Sequence, residues 1–177
     1  MIQNFWKYIL IIFLFSSNLK STEYEITILA TNIANFGGIG EWSFSALLES
    51  EEESILFDTG FDENTVLHNA NLLKKDLSKV EKVILSHFHG DHTGGLIKLR
   101  KTYMNSNPKA FSDVYVATGF FDQRFDEHGE LRGFIGGFNK VSDFKEKAEN
   151  LGINFIVIDE AYELAPNLVL SLSLIHI

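Results

Sequence analysis

The chain has 177 residues, 45% of them hydrophobic and 16 of them Phe, which suits one domain with a buried core and excludes a disordered chain. A net charge of −9 argues against a nucleic-acid partner, which needs a basic face. With no cysteine, a disulfide framework and a thiolate metal site are both excluded.

Met1–Lys7 carries one positive charge, Tyr8–Phe15 is an unbroken apolar run, and Ser16–Ser21 is small and polar. That layout over residues 1–21 is a secretory signal peptide, its apolar run too short to span a bilayer comfortably. No clean A-x-A-like cleavage site is present, so an uncleaved anchor is the alternative. A lipoprotein anchor is excluded for want of a cysteine. The expectation is a periplasmic or secreted protein that meets the membrane only through this segment.

Residues 22–171 are expected to form the folded part. Glu23–Leu29 alternates and predicts a half-buried strand. Asn35–Glu41 is a glycine-rich loop without the strand-then-helix context of a phosphate-binding loop. Phe44–Leu48 and Ile55–Phe57 predict paired strands joined by an acidic turn, Glu49–Glu53. Asn64 or Thr65 can cap a helix bearing Val66, Leu67, Ala70 and Leu73 on one stripe, with His68 off it and exposed. Val80, Val83, Ile84 and Leu85 predict a short strand in the interior of a sheet covered on both faces.

Asp58-Thr59-Gly60, after an apolar strand, admits three readings. The triplet resembles an aspartic protease motif, but that chemistry needs two carboxylates sharing a proton and no second triplet follows. A turn residue bonded to its own backbone is the plain reading. A carboxylate standing behind a metal-ligating histidine, fixing its tautomer, is the third. The next motif favours the third.

Ser86-His87-Phe88-His89-Gly90-Asp91-His92-Thr93-Gly94-Gly95 places three histidines and one aspartate within six residues at the end of a predicted strand. Imidazole nitrogen and carboxylate oxygen are ligands of zinc and similar divalent metals. Extended backbone aims His87 and His89 to one side, and a turn at Gly90 can swing Asp91 and His92 toward a second point. One short loop can therefore serve two metal ions.

His87-x-His89-x-Asp91-His92 resembles the signature of the metallo-β-lactamase fold superfamily. Ser54–Gly60 is similar to that family's strand and Asp-x-Gly turn. Trp42–Glu49 and Leu67–Ala70 resemble the branch of dihydropterin-ribofuranosyl-aminobenzene-phosphate synthase-like proteins. The resemblance runs from about Ile26 to Ser171. It implies an α/β fold, a metallo-β-lactamase-type αββα sandwich, here the first half plus part of the second only. It also implies a loop beside the metal site with Trp42 as a substrate wall, against a core aromatic as the other reading.

Leu96–Tyr103 predicts a helix ending in turn-rich sequence near Asn105–Pro108, and Val114–Ala117 a strand. Phe120–Gly137 predicts a long loop or hairpin, with His128 solvated. Ser142 is the expected N-cap of a helix carrying Phe144, Ala148 and Leu151, with Gly152 closing it. Ile153–Ile158 predicts a buried strand, and Glu163–Ser171 resembles the family segment leading into another. Leu172–Ile177 breaks the resemblance and matches, codon by codon, the translated end of a transposon-type sequencing adapter, so His176 is not counted as a ligand.

The resemblance implies a metal-dependent hydrolase acting on a small-molecule substrate. Its cofactor would be one or two zinc ions, with manganese or iron as alternatives, and its nucleophile a metal-bound hydroxide. His87 and His89 would hold one metal and Asp91 and His92 another, each with a downstream histidine. Asp91 would orient the hydroxide and carry a proton, with Asp58 behind a ligand. Those downstream ligands are not found before Ser171, so the fragment itself is expected to be inactive. A pterin-related group-transfer enzyme and a non-catalytic periplasmic binding protein are the alternatives. An oxygen-reducing di-iron member is disfavoured because that branch has a glutamate where His89 stands.

Overall fold

Successive side chains on a strand face opposite sides, so a strand apolar at every position asks for cover on both faces of its sheet. β3 (Ser54–Phe57), β4 (Lys82–Ile84), β5 (Asp113–Ala117) and β8 (Asn154–Ile158) pair in parallel, and β1 (Glu25–Ala30) and β2 (Ser45–Glu49) extend the sheet antiparallel. Together they form one six-stranded sheet in the order β1-β2-β3-β4-β5-β8. This computed structural model describes residues 23–125, 127–132 and 135–171. The expected signal peptide and the tail 172–177 lie outside the described residues.

One face of the sheet presents Leu47, Leu56, Val83 and Val114 to the main core. Helices α1 (Thr65–Leu72), α3 (Leu96–Tyr103) and α4 (Val141–Glu149) supply Val66, Ala70, Leu96, Leu99, Phe144 and Ala148 to it. Phe144 is fully buried and meets Phe138 and Phe155 ring to ring. Truncating such a residue costs about 3–5 kcal/mol. The other face presents Ile55, Ile84, Tyr115 and Ile158, covered by Leu164 and Ala165 of the hairpin β9 (Tyr162–Ala165) and β10 (Leu168–Leu170). Helices on one face and strands on the other agree with the expected α/β architecture of a metallo-β-lactamase-type sandwich. Ile26 and Ile28, on the hairpin-covered side of β1, remain 62% and 46% exposed.

The element bounds follow the hydrophobic runs closely, and the differences have local causes. β1 is less covered than a half-buried strand, because it is the sheet edge and only Leu29 and Ala30 reach the core. In α1 the inward residue is Asn69 rather than Leu73, which is 45% exposed beyond the helix end. Asn69 is buried because it is fully bonded: its amide donates to the carbonyls of Leu29 and Ile39 and accepts from the Ile39 N–H. Asn64 is the N-cap of α1 without a side-chain cap bond. Lys140, not Ser142, is the N-cap of α4, and the Ser142 hydroxyl turns to Asp143. The segment after β5 is a hairpin of β6 (Arg124–Phe125) and β7 (Leu131–Arg132).

Gly94 and Gly95 sit where the turn after β3 crosses the loop after β4. A Cβ on Gly94 would overlap the Phe61 carbonyl oxygen, and one on Gly95 the Thr59 carbonyl oxygen. Backbone cannot withdraw as a flexible side chain can. Gly95→Ala is therefore expected to cost about 3 kcal/mol or more in denaturant unfolding. Gly129→Ala, with φ +79 and open space around its Cβ, should cost only about 1–2 kcal/mol. Equal midpoints for the two variants would contradict this close approach.

Candidate metal centre

Phe57 pairs with Ile84, so the chains leaving β3 and β4 run out of the sheet side by side. Asp58 follows β3 with φ 55, a left-handed conformation that costs a non-glycine residue about 1–2 kcal/mol. Hydrogen bonds hold it there. Its N–H donates to the Ile84 carbonyl at 2.8 Å, and its own carbonyl accepts from Ser45 Oγ at 2.8 Å. The carboxylate is 1% exposed and accepts from the Ser86 N–H at 2.8 Å and from Ser86 Oγ at 2.7 Å. Its Oδ2 also accepts from His92 Nδ1 at 2.7 Å. A buried carboxylate survives only with donors around it, and here every one is local to the histidine loop.

The loop itself is pinned through backbone. The Thr59 N–H and hydroxyl both donate to the His92 carbonyl, at 2.8 and 3.1 Å, and the Gly94 N–H donates to the Gly60 carbonyl at 2.9 Å. α2 (Gly90–Thr93) is a single turn that lifts Asp91 and His92 beside the histidines before it. Phe88 points into the core, which leaves His87 and His89 facing outward on either side of it.

Proton positions follow from this network. The Ser86 hydroxyl has one hydrogen and gives it to Asp58, so its lone pair accepts from His87 Nδ1 at 3.0 Å. His92 Nδ1 likewise donates to Asp58. Both rings then carry their free lone pair on Nε2, the state a metal requires. Among the described residues, His87, Asp91 and His92 bring one ligand atom each to within 4.8 Å of one another. His89 stands outside that trio, but its Nδ1 lies 3.0 Å from His87 Nε2. Two nitrogens on one tetrahedral zinc at 2.0–2.1 Å are about 3.3 Å apart. Three imidazoles and a carboxylate thus form a donor set that fits zinc, while imidazole also suits iron. The four expected residues, His87 with His89 and Asp91 with His92, lie side by side in the structure. The His87 ring stands between the other two, its centroid 4.7 Å from that of His89 and 4.1 Å from that of His92.

Among the described residues, the two other histidines stand elsewhere. His68 is exposed, and its Nε2 contacts the Gly37 carbonyl at 2.7 Å. His128 is exposed beside Glu127. Trp42 is 80% exposed, so it is no core aromatic. Two residues escaped sequence reasoning. Ser86 carries a signal in hindsight, a hydroxyl directly before the histidines. Glu41 carries none beyond being the acid of a glycine-rich loop; its partners lie at Phe61, Asp62 and Thr65.

Residues 43–166 match the family model described as metallo-beta-lactamase superfamily. The chain belongs to that superfamily. It is 31% identical over 156 residues to the 7,8-dihydropterin-6-methyl-4-(beta-D-ribofuranosyl)-aminobenzene-5'-phosphate synthase of Methanocaldococcus jannaschii, covering 84% of this chain and 50% of that protein. It is 36% identical over 114 residues to a ribonuclease Z of Thermococcus onnurineus, covering 55% of this chain and 35% of that one. Among solved structures, Tm1679, a metal-dependent hydrolase of the beta-lactamase superfamily, superposes with a TM-score of 0.58 at 25% identity, over 83% of this chain and 47% of that chain. This member of the superfamily thus spans about half the length, or less, of these relatives.

Burial of His92 lowers the pKa of its ring, but the hydrogen bond to Asp58 and the charges of Asp58 and Asp91 outweigh that, and the net shift is upward from 6.5. In the metal-free protein the protonated ring is favoured by folding. That contribution to stability is complete below the unfolded value of about 6.5 and is lost as pH rises through the raised one. NMR titration of the metal-free chain is expected to give a His92 midpoint above 6.5, falling in Asp58→Asn. A midpoint indifferent to that substitution would break the link between the two residues.

Proposed function

We propose that the protein is a metal-dependent hydrolase acting on a small molecule, with its metal held by His87, His89, Asp91 and His92. The observation that carries this is the convergence of His87, Asp91 and His92 ligand atoms within 4.8 Å at the end of a central strand, with Asp58 behind them. A bound divalent metal would supply Lewis acidity toward a carbonyl or phosphoryl oxygen and lower the pKa of water to about 7.

The protein's own residues do the rest. Asp58 keeps the proton of His92 on Nδ1 and, through Ser86, that of His87 on Nδ1, so both Nε2 atoms face the site. Asp91, partly exposed with its Oδ2 3.5 Å from His92 Nε2, would orient water and take its proton. The net charge of −9 favours a small molecule over a nucleic acid, although two relatives are ribonucleases. The similarity to the synthase supports the scaffold and the loop; no feature of the site favours group transfer. A periplasmic or secreted place of action rests on the apolar run at residues 8–15 alone.

The test is metal content and hydrolysis together. The chain, loaded with zinc and desalted, is expected to retain one or two ions. Asp58→Asn should weaken retention about 10–100-fold, and His87→Ala or His92→Ala more. Asp91→Asn should slow cleavage of an activated ester or phosphodiester by the protein about 100-fold or more. Wild-type chain that retains no zinc would overturn the proposal.

A further inference from the structure

Asp58 reaches two of the candidate donors, His92 directly and His87 through Ser86. Two contacts from the segment between β5 and α4 converge on a third, His89. Arg124, in β6, sets its guanidinium carbon 4.0 Å from the centre of the Phe88 ring. That ring centre lies 4.5 Å from that of His89. Farther along, the Gly136 N–H donates to Thr93 Oγ1 at 2.7 Å, and the same hydroxyl donates to the His89 carbonyl at 2.9 Å. Thr93 is fully buried, so water does not compete for this relay. One contact holds the residue before His89, and the other holds the carbonyl of His89 itself.

A mobile cation over a ring does little, because ordering a long side chain costs entropy. Arg124 is already ordered. Its Nη1 donates to the Asp122 carbonyl at 3.0 Å and its Nη2 to the Gly119 carbonyl at 3.1 Å. A planar guanidinium pinned at two nitrogens keeps its face on the ring, which an ammonium cannot do. Phe88 is only 6% exposed although it stands between two outward-facing histidines. We propose that Arg124 is a positioning residue for the metal centre, fixing His89 through Phe88 while Gly136 and Thr93 fix the carbonyl of the same residue. This rests on the metal-centre reading above. Without the guanidinium, the Phe88 ring loses a partner and the backbone leading into α2 gains freedom, while Asp58 still holds His92.

The experiment compares Arg124→Gln with the wild-type chain in two readouts, zinc affinity by chelator competition and the imidazole ¹⁵N resonances by NMR without metal. Arg124→Gln is expected to weaken zinc binding about tenfold. It should move the His89 ring signals and leave those of His92 in place. A general loss of structure would move both rings alike. Phe88→Leu removes the ring face and keeps an apolar side chain in the core. In that background Arg124→Gln should change zinc affinity less than about twofold, because the two residues act as one pair. If Arg124→Gln gives no dispersed spectrum, Arg124→Lys keeps the cation without the two-pronged donor and is read the same way. Wild-type zinc affinity in a folded Arg124 variant overturns the proposal. So do His92 signals that move as far as those of His89, or an undiminished loss in the Phe88→Leu background. A wild-type chain that retains no zinc sinks the hydrolase reading alone, and the His89 resonances of the metal-free chain then decide the positioning role.

Discussion

A single buried carboxylate shapes the metal loop. Asp58 is placed by strand register: Phe57 pairs with Ile84, so the residues just past each strand end meet at hydrogen-bonding distance. From there one carboxylate fixes two imidazoles, His92 directly and His87 through the Ser86 hydroxyl. Removing one partner of such a buried set leaves an unmet charge, a cost of about 3–5 kcal/mol. That penalty makes the arrangement close to all-or-none. It also explains why the left-handed backbone at Asp58 persists, since bonds from its N–H, its carbonyl and its side chain over-determine the conformation.

The two sides of the site are held by different means. Backbone bonds from Thr59 and Gly94 pin the metal loop to the turn after β3, and two glycines let the segments touch. The glycine-rich loop across from it is held by side chains: Asn69 to Ile39, His68 to Gly37 and Glu41 to the turn at Phe61. Backbone bonds between packed segments give a ligand set little freedom, which suits coordination. Side-chain clamps on a loop leave room to adapt, which suits substrate contact.

Most of the fold was legible because the central strands are continuous apolar runs and α3 keeps a helical stripe. The histidine loop was legible because its donors are close in sequence. What stayed hidden depends on partners far along the chain. Ser86 meets Asp58 across 28 positions, and Glu41 meets Asp62 across 21. No local pattern encodes such a meeting; it is created when β3 and β4 align. The misplaced helix details share another cause. Leu73 looked inward by periodicity, but α1 ends before it, while Asn69 is drawn inward by backbone groups of the glycine-rich loop that no hydrophobic count registers. The turn of α2 folds His92 back beside His87, so the four donor residues stand together at one end of the sheet.

The second face of the sheet completes the logic of the site. Between the sheet and the β9–β10 hairpin lies an apolar cleft of ≈ 360 Å³ walled by Phe57, Ile84, Tyr115, Leu164 and Leu170, and Ser86 stands on its wall. Ser86, whose hydroxyl relays Asp58 to His87, therefore stands between a hydrophobic cleft and a polar network. Water at that wall would compete for the hydroxyl and release the His87 tautomer, while apolar neighbours leave Asp58 and His87 as its natural partners. Packing on the second face thus bears directly on the chemistry of the loop above it. The hairpin matters to the candidate centre although it carries none of its four donor residues.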